Sequence, residues 1–155
     1  MRKLRKLIVV LLLSGLLLVY ASNALAAATS FTQTFKNVTE TSTDVNPCTG
    51  DPGTLTITYN GVVHVTIADN GSFHTTGTFT GDFVFDTTDP TKPDYTGHFT
   101  NWFGENDNSR SEADTVTFTV HGTGSDGSTI RFHETAHFSV SASGGVISFD
   151  KMSCG

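Results

Sequence analysis

The stretch Val63-His64-Val65-Thr66-Ile67-Ala68-Asp69-Asn70-Gly71-Ser72-Phe73-His74-Thr75-Thr76 decides the fold. Val63, Val65 and Ile67 alternate with His64 and Thr66, the period-two pattern of a half-buried strand. Asp69-Asn70-Gly71 then interrupts with turn chemistry, and Phe73, Phe79, Phe83 and Phe85 resume one parity while His74, Thr76, Thr78 and Thr80 take the other. Parity selects the loop length. A three-residue loop with Gly71 left-handed sets Ile67 opposite Phe73 and His64 opposite Thr76, so that like meets like. A two-residue Asn-Gly turn would set Ile67 against His74.

The same alternation extends in both directions. Leu55, Ile57 and Tyr59 alternate with threonines, as do Tyr95, Phe99 and Phe103 with Thr96, His98, Thr100 and Trp102. Val116, Phe118 and Val120 alternate with Thr115, Thr117, Thr119 and His121. Asn60-Gly61, Ser125-Asp126-Gly127 and Ser143-Gly144-Gly145 read as further hairpin signals, although at Asn60-Gly61 one long continuous strand fits as well. The Ser125-Asp126-Gly127 turn predicts His121 opposite Arg131 and His133 opposite Thr119. Two connections look long, Asp86 to Asp94 and Glu105 to Asp114. About seven to nine strands joined mainly by short hairpins predict an all-β, single-domain antiparallel meander. We expect it to close into an up-and-down β-barrel, with a two-sheet β-sandwich as the alternative.

The flanks predict export. Arg2, Lys3, Arg5 and Lys6 precede an apolar run from Leu7 to Tyr20, and Ala24-Leu25-Ala26 and Ala26-Ala27-Ala28 both fit a cleavage site. That is the pattern of a signal peptide over residues 1–28, cleaved after Ala26 or Ala28, leaving one secreted domain over 29–155. The run is too short for a membrane span, which needs about 20 apolar residues. The full chain carries a net charge of −6. Without its first 28 residues it keeps five bases and 15 acids, a net charge of −10. Such acidity argues against nucleic acid, which is gripped by clustered Lys and Arg, and against anionic membrane surfaces. Cys48 and Cys154 form an even pair, expected to make one disulfide in an oxidising compartment. It would tie the C-terminus to the region after the first strand.

One segment imitates a catalytic motif. His133-Glu134-Thr135-Ala136-His137 spells H-E-x-x-H. Zinc binding by that motif requires a helix, where residues four apart lie about 6 Å apart along one face. On a strand the two imidazoles stand about 13 Å apart. Ile130, Phe132, Glu134, Ala136 and Phe138 share one parity and Arg131, His133, Thr135 and His137 the other, so the flanks are those of a strand. We therefore read His133, Glu134 and His137 as a coincidental match and expect no metal and no cofactor. Glu134 is of separate interest as a carboxyl on an apolar face, either a general acid/base inside a barrel cavity or a structural carboxylate reaching solvent.

All six histidines fall on the threonine-rich parity, which reads most simply as the solvated outside of the sheet. Trp102 shares it, beside His98 and Thr100, and could stack on a sugar or another ligand. Trp102, His98 and Glu134 are thus the candidate ligand-binding residues, with Glu134 the one catalytic candidate. The oxygen-rich segments around Asp86–Asp94 and Glu105–Asp114 are a weak match to calcium ligands. No G-x-S-x-G elbow occurs.

Asn46-Pro47-Cys48-Thr49-Gly50-Asp51-Pro52, Tyr95-Thr96-Gly97-His98-Phe99, Gly124-Ser125-Asp126-Gly127-Ser128-Thr129 and the closing Phe149-Asp150-Lys151 with Cys154-Gly155 carry a resemblance. Through them the chain resembles a family of small secreted actinobacterial β-proteins with no assigned activity. The resemblance implies export and a β fold and transfers no catalytic residue. Three functions are then open. The first is a secreted module binding a small molecule or a surface. The second is an extracellular interaction protein with a filled core and a basic or cell-envelope partner. The third, an enzyme, is less expected; it would use Glu134 in a barrel cavity or a His-bound metal.

Overall fold

The computed structural model describes residues 28–108 and 110–155, so the signal peptide expected over residues 1–28 lies almost wholly outside the described residues. Seven strands follow in chain order: β1 (Thr29–Val45), β2 (Pro52–Ile67), β3 (Phe73–Thr87), β4 (Tyr95–Asn108), β5 (Ser111–Gly124), β6 (Thr129–Val140) and β7 (Val146–Cys154). Each pairs antiparallel with the next, giving one seven-stranded sheet in the order of the chain.

The deciding stretch folds as its parity requires. Ile67 pairs with Phe73 and His64 with Thr76. Gly71 has φ 80°, which supplies the left-handed residue of the loop. The Ser125-Asp126-Gly127 turn likewise sets His121 opposite Arg131 and His133 opposite Thr119.

Asn60-Gly61 is no turn. β2 runs straight through it, and the irregularity falls on β1, whose register slips between Phe35 and Val38. Asn37 sits there at φ 50° and its backbone N–H donates to the Asn60 side-chain oxygen at 3.0 Å. Asn60 thus caps a bulge in its neighbour. The connection expected to be long at Glu105–Asp114 is also short, because β4 extends to Asn108 and β5 resumes at Ser111. The Asn108 side chain accepts the N–H groups of Arg110 and Ser111 and closes the turn.

Among the described residues the sheet is not closed, so the expected barrel is not confirmed, and all seven strands belong to one sheet rather than to the two of a sandwich. β1 pairs only with β2 and β7 only with β6, so the single sheet keeps two edges. It is nevertheless strongly curled. In a flat sheet, six strand spacings would set β1 about 29 Å from β7. Cys48, in the β1–β2 loop, is bonded to Cys154 at the end of β7 with the two Cα atoms 5.7 Å apart. The loop presents Cys48 inward because buried Asn46 accepts the N–H groups of Cys48 and Thr49 through its side-chain oxygen.

Curling separates the two faces. Tyr59, Val63, Val65, Phe79, Phe83, Phe85, Tyr95, Phe99 and Ile130 form the core on the concave side. Rings meet edge-on there, with Phe79 5.2 Å from Tyr59 and 5.5 Å from Phe35, and stacked 6.0 Å from Phe103. Glycine also lets adjacent strands themselves come close, as at Gly81 and Gly97. A Cβ at Gly81 or Gly97 would lie 2.1 Å from a carbonyl oxygen of the adjacent strand, so only a bare Cα fits. The convex face is left to threonine, histidine and Trp102.

Candidate functional site

The inward and outward candidates do not share a site. Glu134 lies half-buried on the concave face, as its parity predicts, between Phe118 on β5 and Met152 on β7. Neither cross-strand neighbour can exchange a proton with it. Trp102 and His98 stand on the opposite face of the sheet, so the three residues named by sequence divide into one and two.

The H-E-x-x-H segment lies entirely within β6. His133 and His137 point to the convex side, where their Nδ1 atoms meet the Thr119 and Thr115 hydroxyls at 3.0 and 2.8 Å. Glu134 points to the other side. The helical geometry that would bring the three to one ion is absent.

Inward charge collects at the end of the sheet beyond the aromatic rings. Glu105 on β4 faces Thr75 on β3 and Asp114 on β5, with the Asp107–Glu112 pair one row on. Burial, then repulsion from Asp114, Asp107 and Glu112, raises the Glu105 carboxyl above its ordinary value. Nearer the middle, the Tyr59 hydroxyl donates to Glu40 at 2.7 Å. Burial, and next that bond and the Glu40 charge, push the phenol up to about 12. The oxygen-rich Asp86–Asp94 loop uses its carboxylates on itself. Asp89 accepts the Thr91 N–H and hydroxyl, which holds it below the usual carboxylate range, and Asp94 accepts the Thr87 N–H.

The convex face is built from rows of cross-strand partners. Threonine hydroxyls pair along them, Thr39 with Thr58 at 3.0 Å and Thr41 with Thr56 at 3.1 Å. In the row through the middle of β4, Thr78, Trp102 and Thr117 are successive partners. Trp102 is 42 % exposed. Its six-membered ring closes over Gly104, since a Cβ at that position would lie 3.1 Å from the ring atom Cη2 and 3.4 Å from Cζ2. An indole laid over a bare strand glycine is braced from beneath while its outer side stays open to solvent.

Two rows further along β4, Asp82, His98, His121 and Arg131 are successive partners across β3, β4, β5 and β6. The His98 Nδ1 meets an Asp82 carboxylate oxygen, both side chains largely exposed. The His98–His121 apposition depends on the short turn between Asn108 and Ser111, where the sequence predicts a long connection. Among the described residues no group of three or more His, Cys, Asp or Glu side chains is placed to hold a metal ion. Nor is any helix among them long and apolar enough to cross a membrane. The chain matches no protein-family profile, no curated protein and no solved structure.

Proposed function

We propose that the chain is an exported binding module that engages a hydroxylated ligand, of which an extracellular glycan is the type, through its convex face. The observation that carries this is Trp102. A large apolar ring held open to water, where one face of it could be hidden, is a recurrent mark of a recognition surface. An indole platform suits the C–H face of a sugar ring, and the threonine hydroxyls of Thr78 and Thr117 on either side suit its hydroxyl groups. The concave face is the weaker candidate because its rings already contact one another. Export is consistent with the Cys48–Cys154 bond, a linkage that persists outside the reducing cytosol.

Trp102 is the only tryptophan of the chain, so indole fluorescence, excited beyond the tyrosine absorption, reports on this site alone. Titration with a panel of soluble oligosaccharides is expected to give a saturable spectral shift for at least one of them. Trp102→Ala, followed by titration calorimetry because the variant has no tryptophan, should abolish binding and leave the protein folded at room temperature by circular dichroism. If no member of the panel perturbs the indole, the glycan reading is wrong.

A further inference from the structure

The row Asp82–His98–His121–Arg131 suggests which glycans the Trp102 face selects. His98, His121 and Arg131 line one shallow depression of about 330 Å³, together with Thr96, Thr123 and Thr129. Each of these six side chains carries a hydrogen-bond donor, and no carboxylate lines the depression. Asp82 stands outside it and engages His98 through Nδ1, which leaves Nε2 at the far side of the ring. Gly97, Gly122 and Ile130 complete the lining, which thus holds one guanidinium, two imidazoles and three hydroxyls and no acid. The guanidinium beside His121 opposes a divalent cation between the two imidazoles and favours an anion. Its planar fork matches a carboxylate, sulfate or phosphate in two-pronged fashion.

Position links this depression to the indole. His98 and Trp102 lie on one face of β4 four residues apart, about 13 Å along the strand, with Thr100 between them. A short oligosaccharide laid along β4 reaches both. We propose that the His98–His121–Arg131 depression is an oxyanion subsite that makes the Trp102 face prefer acidic glycans over neutral ones. This rests on Trp102 being the glycan platform.

The test compares a neutral oligosaccharide with its uronate counterpart of equal length and linkage, titrated by Trp102 fluorescence under one buffer condition. The uronate is expected to bind about tenfold tighter, the scale of one added charge-assisted contact. That ratio should fall toward unity in the exposed-site double variant His121→Gln/Arg131→Gln. Equal affinity for both ligands in the native chain, or a preference that survives the double substitution, overturns the proposal. Inorganic phosphate, followed by the imidazole resonances of His98 and His121, separates the two ideas. If no glycan perturbs Trp102 but phosphate moves those resonances in the native chain and not in Arg131→Gln, the glycan reading falls and the oxyanion site stands. Resonances unmoved by phosphate, in a chain whose indole binds neutral and acidic sugars alike, remove the subsite and leave the platform.

Discussion

At the scale of single residues, the inward carboxylates set how the protein responds to pH. Glu105 is held above its ordinary value of 4.5 by burial and then by Asp114, Asp107 and Glu112. Its folded state therefore binds the proton more tightly than its unfolded state. The penalty for the carboxylate is absent below the ordinary value and is fully present above the raised one, so stability falls as pH climbs through that window. Glu105→Gln is expected to raise the thermal midpoint at neutral pH and to leave it unchanged near pH 4, where the native side chain is already largely protonated. Melting curves at the two pH values check this, and a neutral-pH loss of stability would contradict it. Tyr59 is the complementary case, a phenol whose proton is kept by burial and by Glu40.

Among the elements, β4 matters most, because it carries both outward features and contacts β3 and β5 across bare glycines. Gly97 and Gly104 lie on its opposite faces and do different work. A methyl at Gly97 would meet the His121 carbonyl oxygen at 2.1 Å and the Gly122 Cα at 2.5 Å, backbone atoms that cannot swing aside. Gly97→Ala is expected to destabilise by about 1–3 kcal/mol or more, the range of overpacking. A methyl at Gly104 meets the movable indole of Trp102 at 3.1 Å and, in ordinary contact, the Thr76 methyl at 3.9 Å. Gly104→Ala should therefore cost little in urea unfolding yet alter Trp102 emission. Equal destabilisation by the two substitutions would show that the strand contacts are not as tight as described. The same element shows where sequence signals compete. Asn60-Gly61 carries the strongest short hairpin signature, yet it continues a strand because the adjacent β1 takes the bulge. Asn108 and Ser111 close a tight turn that charge-rich composition disguised as a loop.

For the molecule as a whole, the Cys48–Cys154 bond holds a seven-stranded open sheet in a curl. It closes a separation of 106 residues. In the chain-entropy account a loop of that size contributes about 4–5 kcal/mol by restricting the unfolded chain. The Cys48→Ser/Cys154→Ser variant is expected to lose stability on that scale, with the β7 amides becoming the first to exchange with solvent. β7 is the reason, since all nine of its residues are exposed and it pairs only with β6. Uniform loss of protection across β2 to β7 would mean that the bond supports the core rather than one edge.

The sequence by itself determined the class of fold, the antiparallel order, the register at two hairpins and the cysteine pair. These follow from period-two alternation and from turn residues whose backbone preferences are local, so no distant contact is needed to express them. It also separated the Phe face from the Thr/His face, and it placed His133 and His137 on a strand rather than a helix. Only the tertiary structure decided which face turns inward, that the sheet curls without closing, and that His98 comes to stand between Asp82 and His121. Those outcomes depend on how seven strands add up. Curl accumulates over the whole sheet, closure depends on whether two edges far apart in sequence meet, and cross-strand neighbours change with every residue gained or lost in a turn.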